Sequence, residues 1–266
     1  MNIPVSEQLV LTRREDGVLR LTMNRAKARN ALSEAMMSAL QSAFDAAASD
    51  DSRVIVLAAE GPAFCAGHDL KEMTAHRGDA DNGRAAFAAL FAQCSNLMQT
   101  IVRCPKPVIA EVQGVATAAG CQLVASCDLA IASSAARFAT PGVNIGLFCS
   151  TPMVALSRNV SRKHAMEMLL TGEMISADCA ARMGLVNQVV APDILEPETM
   201  KLATLIAEKP RATVKIGKEA FYRQLEMPLF EAYDYASRVM TENMLGADAT
   251  EGICAFVEKR DPKWPA

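Results

Sequence analysis

The feature that most constrains the fold is an alternation of short apolar runs with helix-type periodicity, repeated three times in the first half of the chain. A β-hairpin is predicted around 16–17, where an Asp-Gly turn separates two apolar segments. An amphipathic helix capped by Ser33 follows, and then the buried strand 54–57. Two further helix–strand pairs end in strands 108–110 and 129–132. This order predicts an α/β fold assembled from βαβ units.

The second half of the chain has a different pattern. Beyond Thr151 strands become scarce, and only 186–190 still has the composition of an extended segment. From Glu196 onwards the apolar spacing is that of helices. We therefore predict a core over residues 1–195 and a helical C-terminal region over residues 196–266.

Charge and cysteine content exclude several classes of function. The 27 basic and 30 acidic residues give a net charge of −3, which provides no attraction for a phosphate backbone, so no nucleic-acid partner is expected. The eight cysteines include no C-x-x-C pair, so no metal site is expected. We find no leader-like start and no apolar stretch of about 18 residues, so no membrane partner is expected. These observations predict a soluble cytoplasmic protein.

Two Gly/Ala-rich segments, 64–70 and 114–121, each follow a predicted buried strand directly. The sequence has no dinucleotide-binding glycine fingerprint, phosphate-binding P-loop, serine-hydrolase elbow or zinc-binding histidine pair. At a strand–helix junction, small side chains let a ligand reach backbone N–H groups, and the following helix adds the positive end of its dipole. Two such junctions that converge would form an oxyanion hole. Tight packing of a helix on a sheet would explain either segment alone.

Four ordered stretches carry a more specific signal: AFCAGHDLKEM, KPVIAEVQGVATAAGCQLVASCDLAIAS, ARFATPGVNIGLF and EGICAFVEKR. Together they resemble the enoyl-CoA hydratase/isomerase family, the crotonase superfamily, from the first hairpin to the last helix. The runs GCQLVASCD and FATPGVNIGLFCSTP are similar to an atypical subgroup of enoyl-CoA hydratase domain-containing proteins of animal mitochondria. The resemblance implies a crotonase-like spiral of ββα units with a C-terminal helical trimerisation region.

The resemblance also implies a ligand, an assembly and a set of binding residues. The ligand would be an acyl-CoA thioester, with no separate cofactor because coenzyme A is part of the substrate, and the assembly a homotrimer or homohexamer. The two oxyanion N–H groups of the family fall on His68 and Ala119. Lys27 matches a phosphate contact of the CoA site. The full set implied for CoA is Lys27, Ala28, Ala31, Ala66, Asp69, Leu70, Phe256 and Lys259, the last two reaching CoA from a neighbouring helix or subunit.

The chain departs from the family at its acid–base residues. Family hydratases use two glutamates that hold the water and move its protons, and Gln122 and Gly142 stand at those positions. A neutral amide is no general base and glycine has no side chain, so water addition and the one-glutamate double-bond shift both lack their base. Asn144 and Ser150, just beyond, could orient a substrate or a water by hydrogen bonds. Cys149 has no basic neighbour in sequence and is expected to be an inert thiol.

The imidazole of His68 is the titratable group nearest the predicted thioester carbonyl, and its ordinary pKa suits a proton carrier. Side chains alternate between faces along an extended segment, so the ring could equally point away and leave only the N–H functional. Asp69 and Glu72 stand at a helix start, where carboxylates serve as caps.

The leading hypothesis is an enzyme of the enoyl-CoA hydratase/isomerase type, a lyase or isomerase of fatty-acid or acyl-CoA metabolism, that stabilises a thioester enolate in a backbone oxyanion hole. Three alternatives follow from the missing glutamates. Decarboxylation of a malonyl-type thioester needs no base, because loss of CO₂ generates the enolate. Thioester hydrolysis could use Gln122 or Ser150 to place the water. A non-catalytic acyl-CoA-binding protein would need neither a base nor a positioned water.

Overall fold

The computed structural model describes residues 8–264. The start of the chain, for which no leader is predicted, includes residues 1–7, and these lie outside the described residues. The predicted hairpin is confirmed: β1 (Val10–Glu15) and β2 (Val18–Met23) pair antiparallel. Asp16 and Gly17 form its turn with positive φ angles of 47° and 76°.

Six strands form the larger sheet. Besides β1 and β2, its members are β3 (Val54–Ala59), β5 (Val108–Val112), β7 (Leu129–Ser133) and β10 (Gln188–Val190). The strand order is β1-β2-β3-β5-β7-β10, and every pair after the hairpin is parallel. The predicted βαβ units are therefore present, with β3 and β5 buried on both faces.

A smaller second sheet was not predicted from the residues alone. Its strands are β4 (Ala63–Cys65), β6 (Val115–Thr117), β8 (Arg137–Ala139) and β9 (Ile175–Ser176), in the order β4-β6-β8-β9. Each central strand of the larger sheet is followed by one of these short strands and then by helix. The chain thus winds as ββα units, which is the spiral that the resemblance implied.

Seven helices accompany the two sheets: α1 (Glu34–Ser49), α2 (Leu70–Ala75), α3 (Arg84–Arg103), α4 (Ala119–Ser126), α5 (Ser150–Asn159), α6 (Arg162–Thr171) and α7 (Ala177–Met183). Ser33 caps α1 as predicted, its hydroxyl accepting from the Met36 N–H at 3.1 Å. Among the described helices, α3 alone is long and apolar enough to cross a membrane by composition, but one of its faces, including Cys94 and Leu97, is buried in the core.

Four further helices close the chain: α8 (Leu195–Ala207), α9 (Arg211–Gln224), α10 (Leu229–Leu245) and α11 (Ala247–Glu258). α8 packs on the larger sheet, where Ala203 and Ala207 contact Val54 and Ile109. The helices after it add little to the core, since α9 contributes no buried residue and α10 and α11 contribute one alanine each. The division at residue 195 stays a prediction.

Candidate functional site

The structure brings the two Gly/Ala segments together. The first segment includes the end of β4 and the second includes all of β6. The two strands are parallel neighbours, so their carboxyl ends meet at one edge of the second sheet. A Cβ built on Gly67 would lie 3.1 Å from the carbonyl oxygen of Thr117 and 3.4 Å from the backbone nitrogen of Ala119. A Cβ built on Gly120 would lie 2.0 Å from the carbonyl oxygen of Cys65. Glycine at these two positions is what allows the junctions to approach so closely.

Each junction presents a backbone N–H that the fold does not use. Leu32 forms an isolated parallel bridge with His68. In this bridge the Leu32 N–H donates to the Gly67 carbonyl and the Asp69 N–H donates to the Leu32 carbonyl. The His68 N–H takes no part in these bonds. Ala119 is the first residue of α4, where N–H groups have no partner within the helix. Within residues 8–264 no protein acceptor receives either N–H. Two free donors at converging junctions can stabilise an oxyanion.

Gln122 lies one turn along α4 from Ala119 and is buried. Its side-chain oxygen is 4.0 Å from the Cys94 sulfur on α3, a distance at which the thiol donates only weakly. No described protein group pairs with its side-chain nitrogen, which leaves that amide N–H for a ligand.

Gly142 lies in a short 3-10 helix, Pro141–Ile145, that follows β8. A Cβ built on it would lie 2.7 Å from the carbonyl oxygen of Leu147 and 2.9 Å from the sulfur of Cys149. Residues 145–149 fold back here, with the Leu147 N–H donating to the Gly142 carbonyl at 2.9 Å. The position that the resemblance implies for the second family glutamate is therefore filled by the chain itself, with no space for a carboxylate.

The polar residues just beyond Gly142 do not gather at the junctions. Asn144 is exposed, and its amide nitrogen lies 3.0 Å from where a Cβ on Gly172 would be. Ser150 is exposed, and its hydroxyl donates to the Phe148 carbonyl at 3.3 Å. The structure records no contact of either with Gln122, and their roles stay predictions. Cys149 is buried and burial raises the pKa of its thiol, consistent with an inert side chain.

The His68 ring packs edge-on against Phe91 of α3, with 5.6 Å between ring centroids. Both ring nitrogens are buried and neither has a hydrogen-bond partner in the described structure. Burial lowers the pKa of the imidazole, and the carbonyl of Leu32 opposes this without completing a hydrogen bond. Phe91 and Cys94 are one turn apart on α3, and Cys94 approaches Gln122, so the ring and the amide lie along one stripe of that helix.

The carboxylates at the start of α2 are occupied by structural contacts. Asp69 accepts from the Lys71 N–H at 3.1 Å and from the Arg25 guanidinium at 2.9 Å. Burial raises the pKa of Asp69, but these donors outweigh it and the pKa is lowered overall. Glu72 accepts from the Glu34 N–H at 3.0 Å and so caps α1.

Asn30 organises the segment implied to bind CoA, and its role was missed in the sequence. It is fully buried at φ 51°, accepts from the Arg25 N–H at 2.8 Å and donates to the carbonyls of Glu60 and Ala63 at 2.9 and 2.8 Å. These bonds fix residues 25–31 against the corner between β3 and β4. An asparagine is enriched at positive φ, but nothing in the local sequence shows which asparagine will adopt it.

The other residues implied for CoA fall into two groups. In the first group, residues 25–32 lie beside residues 66–69. One of the bonds that join them runs from the Ala66 N–H to the Arg29 carbonyl, at 3.1 Å. Lys27, Ala28, Ala31, Ala66 and Leu70 belong to this region, and Lys27 is exposed with no ion pair among the described residues. In the second, Phe256 on α11 is 84% exposed and Lys259 ends that helix at φ 56°. The ring of Phe256 is therefore largely uncovered by the described residues of one chain.

Comparison with known proteins identifies relatives of this chain in sequence and in fold. The model of the family described as enoyl-CoA hydratase/isomerase matches residues 13–266. A mouse protein named enoyl-CoA hydratase domain-containing protein 3, mitochondrial, is 51% identical over 97% of this chain and 84% of its own length. The crystal structure of the human protein of that name is 50% identical, with a TM-score of 0.91 over 96% of this chain and 100% of its own. An enoyl-CoA hydratase from Mycobacterium smegmatis is 55% identical, with a TM-score of 0.92 over 97% of this chain and 99% of its own.

These relatives confirm the predicted fold class and the predicted likeness to the atypical subgroup. The predicted cytoplasmic location is wrong, because the mouse, rat and human relatives, at 49 to 51% identity, are named mitochondrial. Location is encoded in targeting segments rather than in the composition of a folded domain, so net charge and the lack of an apolar span could not reveal it.

Proposed function

The chain belongs to the enoyl-CoA hydratase/isomerase family, and we propose that it binds acyl-CoA thioesters with the thioester oxygen between the N–H groups of His68 and Ala119. The observation that carries this proposal is the convergence of two strand–helix junctions, each with an unused N–H. The thioester oxygen gains negative charge when an enolate or a tetrahedral intermediate forms. Loss of one such donor typically costs about 3 kcal/mol of transition-state stabilisation, so the pair alone supports catalysis.

The missing glutamates narrow the reaction within this family. Water addition requires groups that hold and deprotonate water, and here one position carries an amide and the other has no space for a side chain. Reactions that need chiefly a stabilised oxyanion fit better. Decarboxylation of a malonyl-type thioester and thioester hydrolysis, with the Gln122 amide orienting the water, are the two that we propose, within fatty-acid or acyl-CoA metabolism.

A non-catalytic acyl-CoA-binding protein is the second candidate. The closed backbone at Gly142 favours it, because the segment 145–149 fills a position from which family hydratases act on the substrate. Mass spectrometry of acyl-CoA mixtures separates the candidates: the panel contains crotonyl-, longer enoyl-, malonyl-type and saturated acyl-CoAs. Loss of CO₂ or release of free CoA would support catalysis. Hydrated product would contradict the proposed reactions, and an unchanged panel in a protein that binds acyl-CoA would establish the second candidate.

Binding itself is tested through Lys27, an exposed cation beside the segment that Asn30 fixes. We expect Lys27→Ala to raise the Kd for butyryl-CoA by about two- to tenfold, the effect of one exposed charge-assisted contact. Isothermal titration calorimetry measures it, with Lys163→Ala on α6 as the control. Equal Kd values for the two variants would remove Lys27 from the CoA site.

A further inference from the structure

In the described structure, buried side-chain polar atoms without a hydrogen-bond partner belong to four residues, His68, Gln113, Thr140 and His164. Two of these residues, His68 and Thr140, lie at or beside the proposed oxyanion hole. His68 supplies one oxyanion N–H, and Thr140 directly follows Ala139, whose carbonyl accepts from the Ala118 N–H at 2.9 Å next to α4. Nearly all buried polar groups in native proteins are paired, so unpaired groups that border a site indicate a ligand or water that completes them.

We propose that the imidazole of His68 exchanges a proton with the α-carbon of the acyl group bound in this hole. One ring nitrogen takes the α-proton, and the electron pair of that C–H bond forms the enolate, whose oxygen accepts from the N–H groups of His68 and Ala119. Return of a proton from the imidazolium to the α-carbon restores the thioester, and no further reactant is consumed. The inference rests on the proposed function, because it requires the thioester oxygen to lie between these two donors.

Covalent connection places the ring near the reacting atoms. The imidazole and one oxyanion N–H belong to the same residue, and the α-carbon is bonded directly to the carbonyl carbon whose oxygen that N–H would bind. The edge contact with Phe91 holds the ring over the same face of α3 whose Cys94 approaches Gln122. The His68 ring and the Gln122 side chain thus both lie against α3.

Other proton carriers near the hole are occupied or absent. Asp69 is paired with Arg25, and Glu72 caps α1. Gln122 cannot take a proton, and Gly142 has no side chain. Among the described residues around the junctions, His68 is the titratable group whose proton-accepting atoms have no other partner.

The charge type of the base also suits this site. Burial without a carboxylate partner keeps the imidazole neutral at pH 7 and therefore able to accept a proton. Proton uptake turns it into a cation beside the enolate that forms, and opposite charges in a partly buried site attract strongly. A carboxylate base would become neutral in the same step and would lack this attraction.

The test is hydrogen exchange at the α-carbon of butyryl-CoA in deuterated water, followed by mass spectrometry. The native protein should add deuterium faster than buffer does. His68→Ala and His68→Gln both keep the backbone N–H, so we expect a Kd for butyryl-CoA within about threefold of the native value. Both should exchange at least about a hundredfold more slowly, the usual loss when a proton carrier is removed.

His164→Ala is the matched control, because it removes a second half-buried histidine with an unpaired ring nitrogen from α6, away from the junctions. It should exchange at the native rate. Undiminished exchange in both His68 variants would overturn the proposal, as would a native protein that binds butyryl-CoA without exchange above buffer. A native protein that does not bind butyryl-CoA would overturn the proposed function and this inference with it.

Discussion

At Gly142 the backbone occupies the space that a side chain would need. The carbonyl oxygen of Leu147 and the sulfur of Cys149 lie within 3 Å of the position of a Cβ, although the φ of this glycine is not positive. A glutamate cannot be placed there unless residues 145–149 move. The absence of a side chain at residue 142 is therefore coupled to the conformation of the segment that follows it.

Substitution of this residue should reveal the close packing. We expect Gly142→Ala to lower the free energy of unfolding by about 1–3 kcal/mol, the usual cost of overpacking a filled site. Gly78→Ala is the control, because a Cβ there would meet no heavy atom within 4 Å, and it should change stability by less than about 0.5 kcal/mol. Urea unfolding measures both. Equal changes in the free energy of unfolding for the two variants would mean that residues 145–149 can move to accommodate a side chain at little cost.

Residue-level prediction from sequence succeeded where a role is local. The Ser33 cap and the small residues at the two junctions follow from neighbouring positions alone. The role of Asn30 and the closure over Gly142 depend on contacts with residues that lie elsewhere in the fold, Glu60 and Ala63 in one case and Leu147 in the other. The direction of the His68 ring likewise depends on Phe91, a residue of another element.

At the scale of elements, Asp50 joins the end of α1 to three other parts of the chain. Its carboxylate accepts from Lys106, just before β5, at 2.6 Å and from Arg14 of β1 at 2.7 Å. Its carbonyl accepts from Arg211 of α9 at 3.0 Å. Burial raises the pKa of Asp50, but hydrogen bonds from Lys106, Ser52 and Arg14 outweigh it and hold the pKa well below the ordinary value of 3.8.

This lowered pKa makes a pH-dependent contribution to stability. We expect Asp50→Asn to lower the free energy of unfolding by about 2–3 kcal/mol at pH 7, because buried Lys106 loses its charged partner. The carboxyl titrates near 3.8 in the unfolded chain and lower in the folded one, so the stabilisation is complete above about pH 5 and is lost as pH falls through the folded-state pKa. Urea unfolding between pH 7 and about pH 2 should show the difference between the variant and the native protein begin to narrow below about pH 4 and shrink further as the pH falls.

Asp51 is the next residue and is exposed, so Asp51→Asn is the matched control. It should change the free energy of unfolding by less than about 0.5 kcal/mol across the same pH range. A difference between Asp50→Asn and the native protein that is independent of pH would show that the lost contribution is not electrostatic.

Long elements were predicted well and short ones were not. Helices α1 and α3 and the central strands of the larger sheet have enough apolar residues to show their period. The strands of the second sheet have three residues or fewer, too short for a period-2 pattern, and tertiary pairing rather than local sequence makes them strands. Their existence was implied only by the family resemblance.

At the scale of the whole molecule, the C-terminal helices leave a large apolar surface uncovered. Its most exposed members are Leu229, Phe230, Tyr233, Met240, Leu245, Phe256 and Val257. Lone exposed apolar residues are normal, whereas seven of them on two consecutive helices indicate an interaction surface. α9 is held to the core mainly by polar contacts, with Lys218 and Tyr222 both bonded to Asp128 at 2.7 and 2.9 Å.

We propose that this surface is covered in a homotrimer or homohexamer, the assembly that the resemblance implied. Sedimentation velocity of the native chain should give a mass about three or six times 28.5 kDa. Phe230→Asp places a charge in the apolar surface and should shift the population toward monomer, because an unpaired charge in an interface is strongly unfavourable. Glu242→Lys, at an exposed position on the opposite side of the same helix, is the control and should keep the native mass.

The same variants connect assembly to ligand binding. Phe256 is 84% exposed in the described part of one chain. If Phe256 and Lys259 contact CoA across a subunit interface, monomeric Phe230→Asp should bind butyryl-CoA more weakly than the native protein. Phe256→Ala should weaken binding without changing the mass, and this difference separates a ligand contact from an assembly contact. A native chain that sediments as a monomer would contradict the assembly. A monomeric variant that binds butyryl-CoA with the native Kd would instead show that each chain forms its CoA site from its own residues, and Phe256 and Lys259 would then be removed from that site.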